Sequence, residues 1–380
     1  MHALVTYTTI REREREMAAE DIGKSSREGY SMKGGNDVYS YANNSSYQRG
    51  VIGTAKELIT DAIAEKLDFN NIVLSNTFRI ADLGCSVGPN TFFAIQNIIE
   101  AVQCKGKCQG LDPQLLEFQV FFNDHTSNDF NTLFKSLPPD GQYYAAGVAG
   151  SFYCHLFPNS SLHFVHSSYA IHWLSKVPEL VVDKTSPAWN KGRIYIVDSE
   201  EDVVKAYEAQ YAEDMECFLH ARAQEVVCGG LIALIFAGRP NGAPHSQTPH
   251  TFIFNLLGSC LMDMARKSKV GEEKVDSFNI PTYWMSPQEL EAAVNRNGEF
   301  RIERMEKLPG VINFRDLSKS QVIASNLRAV LEGLIKAHFG DVILEELFEL
   351  FRNKVEEQLP LIMSFINTDF FALLKRKVKD

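Results

Sequence analysis

The chain reads as an α/β protein, a mostly parallel sheet flanked by helices, with a helical cap built onto it. Three observations predict this. Strand-like apolar runs alternate with helical segments along most of the 380 residues. One strand, 78–81, runs through Asp82-Leu83-Gly84-Cys85-Ser86-Val87-Gly88-Pro89-Asn90 straight into a helix over 91–99. A strand, a glycine turn and a helix form the front of a ligand site in such sheets. Finally, 248–297 and 320–358 break the alternation and are largely helical, with several aromatics. A cap of this kind excludes water from a small-molecule site.

In chain order, residues 1–31 form a charged tail containing Arg11-Glu12-Arg13-Glu14-Arg15-Glu16, predicted to be poorly ordered. Residues 32–48 are too polar and aromatic for a linker; their hydroxyls and amides suit ligand contact. A helix follows over 46–67. Strands are predicted at 78–83, 117–123, 143–148, 161–167, 231–237, 300–306 and 370–375. Val203, Tyr207, Tyr211, Met215, Phe218 and Arg222 step along one helical face, with Gly229-Gly230 as the expected C-cap. No repeat or low-complexity linker divides 32–380, which is read as one domain.

Composition narrows the function. The chain is 45% hydrophobic and 23% charged, ordinary for a globular protein. A net charge of −10 argues against nucleic-acid partners, which need a basic face. No apolar run reaches the length of a membrane span, and the N-terminus does not read as a secretion signal. Seven scattered cysteines favour reduced thiols and a cytoplasmic setting. Cys104 and Cys108 lack a second ligand pair, so no metal is expected. His163 and His166 lie three apart on a strand, point to opposite faces and read as structural.

Four stations suggest a cofactor site. The glycine turn is not G-x-G-x-x-G, and the preceding Asp82 suits a ligand with a positive end and no phosphates, such as S-adenosylmethionine. Asp124 ends the second strand, where a carboxylate can accept both ribose hydroxyls; the alternative is that it caps a helix starting near Asn128. Its distance from Asp82 suggests an insertion around 105–113. Ser151 and Phe152, after the third strand, can bond and stack an adenine. The polar block 32–48 is the fourth.

Together these residues resemble the plant SABATH methyltransferases, which methylate carboxyl groups of small acids or xanthine ring nitrogens. The resemblance runs from about Met32 onward and rests on M-K-G-G…S-Y-A-N-N-S-S-Y-Q, A-D-L-G-C-S-V-G-P-N-T, F-F-N-D-H-T-S-N-D-F-N, G-S-F-Y, H-S-S-Y-A-I-H-W-L-S-K-V-P, A-R-A-Q-E-V-V-C-G-G and V-D-S-F-N-I-P. It implies a Rossmann-like class I methyltransferase sheet. It implies S-adenosyl-L-methionine contacts, with S-adenosyl-L-homocysteine as product, at Tyr41, Ser45, Asp82, Asn90, Asp124, His125, Ser151 and Phe152. His125 stands where many relatives have Leu. Gln48 and Trp173 would hold the substrate carboxylate. Tyr41, Tyr169, His172, Ile253, Phe254, Leu327 and Val330 would line the acid pocket. A cytoplasmic homodimer is also implied.

A carboxylic acid, with pKa about 4, is already anionic at neutral pH, so no general base is needed. Neutral N–H donors from Gln48 and Trp173 can fix it without neutralising it. Gln48 also favours a carboxyl acceptor, because the xanthine branch resembles Asn there. The His172 segment is similar to loganic acid methyltransferases, but Phe254 and Thr282 replace polar residues of that branch. The expected substrate is therefore a small, fairly apolar acid, first an aromatic one, with loganic acid as the alternative. A nicotinamide-dependent dehydrogenase, a xanthine-type N-methyltransferase and a non-catalytic acid-binding protein are the rival classes.

Overall fold

A computed structural model describes residues 31–69, 77–110, 115–196, 200–311, 318–365 and 368–378. The predicted tail therefore falls, but for Ser31, outside the described residues. The elements are α1 (Tyr41–Asn44), α2 (Ser46–Lys66), β1 (Thr77–Leu83), α3 (Asn90–Cys108), β2 (Glu117–Asp124), α4 (Phe130–Lys135), β3 (Tyr144–Ala149), β4 (Leu162–Ser168), α5 (Glu201–Glu225), β5 (Val226–Ala237), α6 (Pro249–Arg266), α7 (Glu272–Asp276), α8 (Pro287–Asn297), β6 (Phe300–Lys307), α9 (Lys319–Phe339), α10 (Leu344–Glu357), α11 (Leu359–Ser364) and β7 (Asp369–Arg376).

The strands form one sheet in the order β3-β2-β1-β4-β5-β7-β6. Strands β1 to β5 pair in parallel; β7 is inserted antiparallel between β5 and β6. Alternation along each strand feeds two cores. Phe78, Ile80, Val120 and Phe122 face α2 and α3, whereas Ala81, Leu83, Val165 and Ile232 share a core with α5 and the cap helices. The chain order reverses between β1 and β4, so the carboxyl ends of β1, β2 and β4 open the crevice where ligands bind in such sheets.

Four local readings are corrected. Helix α3 continues to Cys108, so the long gap between Asp82 and Asp124 holds extra helix, with Lys105 and Lys107 in its last turn where cations suit the dipole. Helix α5 ends at Glu225, and Gly229-Gly230 lies inside β5. There Gly229 takes φ +78°, the β4–β5 register shifts, and a Cβ on Gly230 would press on the Val227 and His163 carbonyls, so the pair accommodates a bulge rather than a cap. Asp129, not Asp124, caps α4 by accepting from the Thr132 amide. Helix α8, placed with the cap by its sequence position, begins with a Ser286/Glu289 capping box and packs on α5 and β6. The cap proper is α6, α7, α9 and α10.

Candidate active site

The β1 carboxyl end turns at Gly84, with φ +80°; a Cβ there would run into the Ala170 methyl beyond β4. The glycine is thus required by protein packing as well as by backbone conformation. Asp82, the residue before Leu83, is buried; Thr91 Oγ1 donates to one oxygen, and His166 Nδ1 lies 2.7 Å from the other. His163 faces the opposite side, where its Nδ1 accepts from the Arg79 amide at 2.9 Å. Both histidines are internal partners, and no group of three potential metal ligands lies among the described residues.

At the end of β2, Asp124 accepts amide hydrogens from Ser86 (2.7 Å) and His125 (2.8 Å). A carboxylate offers about four lone-pair sites, so two remain for a ligand diol. Burial pushes the Asp124 carboxyl upward, against the pull of these amides. Burial, with the Asp124 and Asp82 charges behind it, also pushes the Tyr41 phenol far above its ordinary value, leaving it a neutral donor.

Two adjoining cavities meet at Tyr41, Gly84, Ser86 and Ser168. The larger, about 310 Å³, is walled by Asp124, His125 and Phe152 toward β2 and β3, and by Tyr169, Trp173, Leu174, Pro281, Val330 and Leu334 toward the cap. The smaller, about 20 Å³, gathers Gln48, Asp82 and Asn90. The hydroxyls of Ser86 and Ser168 are buried without a partner among the described residues. A chamber with unsatisfied hydroxyls, a free-sided carboxylate and an aromatic wall fits an adenosyl ligand with an amino-acid end.

Ser45 and Ser151 stand one layer back, and Tyr169 and Trp173 are braced from behind. Ser45 Oγ accepts from Asn90 Nδ2 at 2.9 Å, tying the start of α2 to that of α3. Ser151 Oγ accepts from the Tyr153 amide at 3.3 Å. Tyr169, at φ +56°, donates its hydroxyl to Asp369, whose other oxygen takes the Tyr47 hydroxyl at 2.5 Å. Tyr153 OH donates to the Trp173 carbonyl at 2.6 Å.

Four predicted pocket residues are not in the chamber wall. His172 turns its ring onto Trp284, centroids 4.5 Å apart, and His250 lies 4.3 Å from the same indole. Phe254 packs against Tyr195 and lines a separate groove of about 270 Å³ with Ile194 and Met262. Ile253 and Leu327 pack into the core beside the cap helices. Burial holds His172 at about 3 and His250 at about 4, so both imidazoles are neutral. Sequence reasoning missed Asn326 on α9, which donates through Nδ2 to the Asn44 carbonyl (2.7 Å) and to Gln48 Oε1 (3.2 Å).

The profile of the family described as SAM dependent carboxyl methyltransferase matches residues 27–377. The chain belongs to the SABATH-type carboxyl methyltransferases. This methyltransferase is 46% identical to loganic acid O-methyltransferase of Catharanthus roseus, over 92% of its own length and 95% of the relative's. It is 40% identical to farnesoic acid carboxyl-O-methyltransferase of Arabidopsis thaliana (88% and 94% covered) and 39% to paraxanthine methyltransferase 2 of the same plant (86% and 92%). A solved structure described as loganic acid methyltransferase with SAH superposes with a TM-score of 0.88 at 47% identity, covering 92% of this chain and 99% of the other. The methyltransferase uses S-adenosylmethionine to methylate carboxyl oxygen. No helix among the described residues is long and apolar enough to cross a membrane.

Proposed function

We propose that the enzyme forms the methyl ester of a small aromatic carboxylic acid. The observation that carries this reading is the apolar wall next to Trp173: Leu174, Val177, Pro281, Val330 and Leu334 suit a flat, largely apolar body. Asp124, Tyr41, Asn90 and Phe152 would hold S-adenosylmethionine, which when bound supplies an electrophilic methyl on a sulfonium. Gln48 and Trp173 would fix the acceptor carboxylate by N–H donation. The acceptor is already anionic at neutral pH, so the chain has only to orient it and exclude water. A cytoplasmic setting is consistent with the reduced, scattered cysteines. A homodimer is part of the same reading and is checked by light scattering.

A specific observation favours a second reading, an iridoid acid such as loganic acid. Phe254 does not wall the chamber, so it does not argue against a polyol there. His172, His250 and Trp284 stand outside the chamber wall like Phe254, so they do not decide between the two acids either. The test is methyl transfer from labelled S-adenosylmethionine to salicylic, benzoic, anthranilic, jasmonic, indole-3-acetic, farnesoic and loganic acids, with theobromine and 7-methylxanthine as nitrogen acceptors. The highest kcat/KM is expected for an aromatic acid. Loganic acid ahead of every aromatic acid selects the second reading, and label only in a xanthine overturns both.

A further inference from the structure

We infer that Asn326 is a positioning residue that sets which end of the Gln48 amide faces the acceptor. The inference rests on Gln48 holding the acceptor carboxylate. A glutamine amide has a donor end and an acceptor end of almost equal shape, and nothing covalent selects between them. Only the NH2 end serves a carboxylate; the carbonyl end would repel it. The selection can be traced outward in two steps. The Asn44 carbonyl can only accept, so Asn326 must turn its NH2 toward it, at 2.7 Å. The second hydrogen of that NH2 points at Gln48, at 3.2 Å, and so draws in the Gln48 oxygen. Gln48 Nε2 is thereby turned the other way, with both hydrogens left to donate.

The lock spans two parts of the molecule. Asn44 ends α1 and Gln48 lies in the first turn of α2, whereas Asn326 sits on cap helix α9. The same helix is pinned to the 33–44 segment by the Lys33 amide on the Ala329 carbonyl (2.9 Å) and by the Lys33–Glu332 ion pair (2.8 Å). Seating of the cap and orientation of Gln48 are therefore one event, and the carboxylate donor is presented correctly only when α9 is docked.

A double-mutant cycle tests this, using the acid with the highest kcat/KM in the panel above. Asn326→Asp keeps the shape and removes both donated hydrogens, and its oxygens attract the Gln48 NH2 into the wrong orientation. The expected result is a loss of about 10–100-fold in kcat/KM for the acid, with cofactor Kd unchanged. In a Gln48→Ala background the same substitution should cost nothing more. Asn326→Ala, which adds no charge, should show a smaller loss with the same non-additivity, and melting temperatures exclude unfolding as the cause. Equal losses from the Asn326 substitutions in both backgrounds would overturn the inference while leaving the carboxylate role of Gln48 intact. A Gln48→Ala enzyme with unchanged kinetics would overturn both.

Discussion

Asp124 takes two backbone amides and keeps two lone-pair directions open, which suits a ribose diol. Asp124→Ala should weaken S-adenosylhomocysteine binding by about 1–3 kcal/mol, measured by calorimetry. An unchanged Kd would remove the residue from the cofactor site. This proposed role is suggested by the sequence because an acid closing an apolar strand has few structural uses. The competing use, capping the next helix, is taken by Asp129. Phe254 and Asn326 show where such reading stops. Phe254 is on the helix expected to carry pocket residues, but Tyr195 and Trp284 occupy its ring, and helical phase across a cap is not encoded in any motif. Asn326 is a lone asparagine in a helix. Its importance comes from a partner 278 residues away, and no local spacing signals that.

At the scale of elements, the seven predicted strands are all present: β1, β4, β5 and β7 are apolar runs that the sheet buries on two faces, whereas the edge strands β3 and β6 are half-exposed. The boundary errors occurred where helix or bulge could continue without changing the apolar pattern, as in α3 and at Gly229. One element-scale device carries a prediction. Arg222, fully buried on α5, donates to the Phe152 carbonyl (2.6 Å) and the Cys154 carbonyl (2.9 Å), and pairs with Glu225 at 2.7 Å. Glu225 in turn accepts from the Leu156 and Phe157 amides. The pair staples the loop that follows β3, and with it the Phe152 ring, onto the helix. Arg222→Met strands the Glu225 charge in the core, which should cost about 3–5 kcal/mol of stability. Chemical denaturation measures that loss; a change below about 1 kcal/mol would mean that Glu225 finds another cation or is protonated at little cost.

Across the whole molecule, three buried histidines and the half-buried His250 set the response to acid. Burial depresses His172 to about 3, and His163, His245 and His250 to about 4. The unfolded chain binds protons on them near pH 6.5 and the native one does not, so their stabilisation is complete above that pH and declines as pH falls toward 4. Asp214, raised to about 6 by burial, acts oppositely, gaining stability as pH falls, and so do Asp124, Glu208 and Asp369, which burial also raises; these carboxyls blunt the loss from the four imidazoles. The melting temperature should therefore drop steadily from pH 7.5 to pH 5. Scanning calorimetry across that range checks it; an unchanged melting temperature would mean that these imidazoles take up protons in the native state. The carboxylate of Asp369 has a further consequence. It braces Tyr47, 322 residues earlier, and Tyr169, 200 residues earlier. A ribosome makes β1, β2 and β3 first and reaches this brace 225 codons after β3 begins at Tyr144, so a nascent chain can shape its cofactor crevice while its acceptor wall is still unsupported. Catalytic competence should thus wait on the last strand of the chain, which pairs antiparallel with a neighbour on either side.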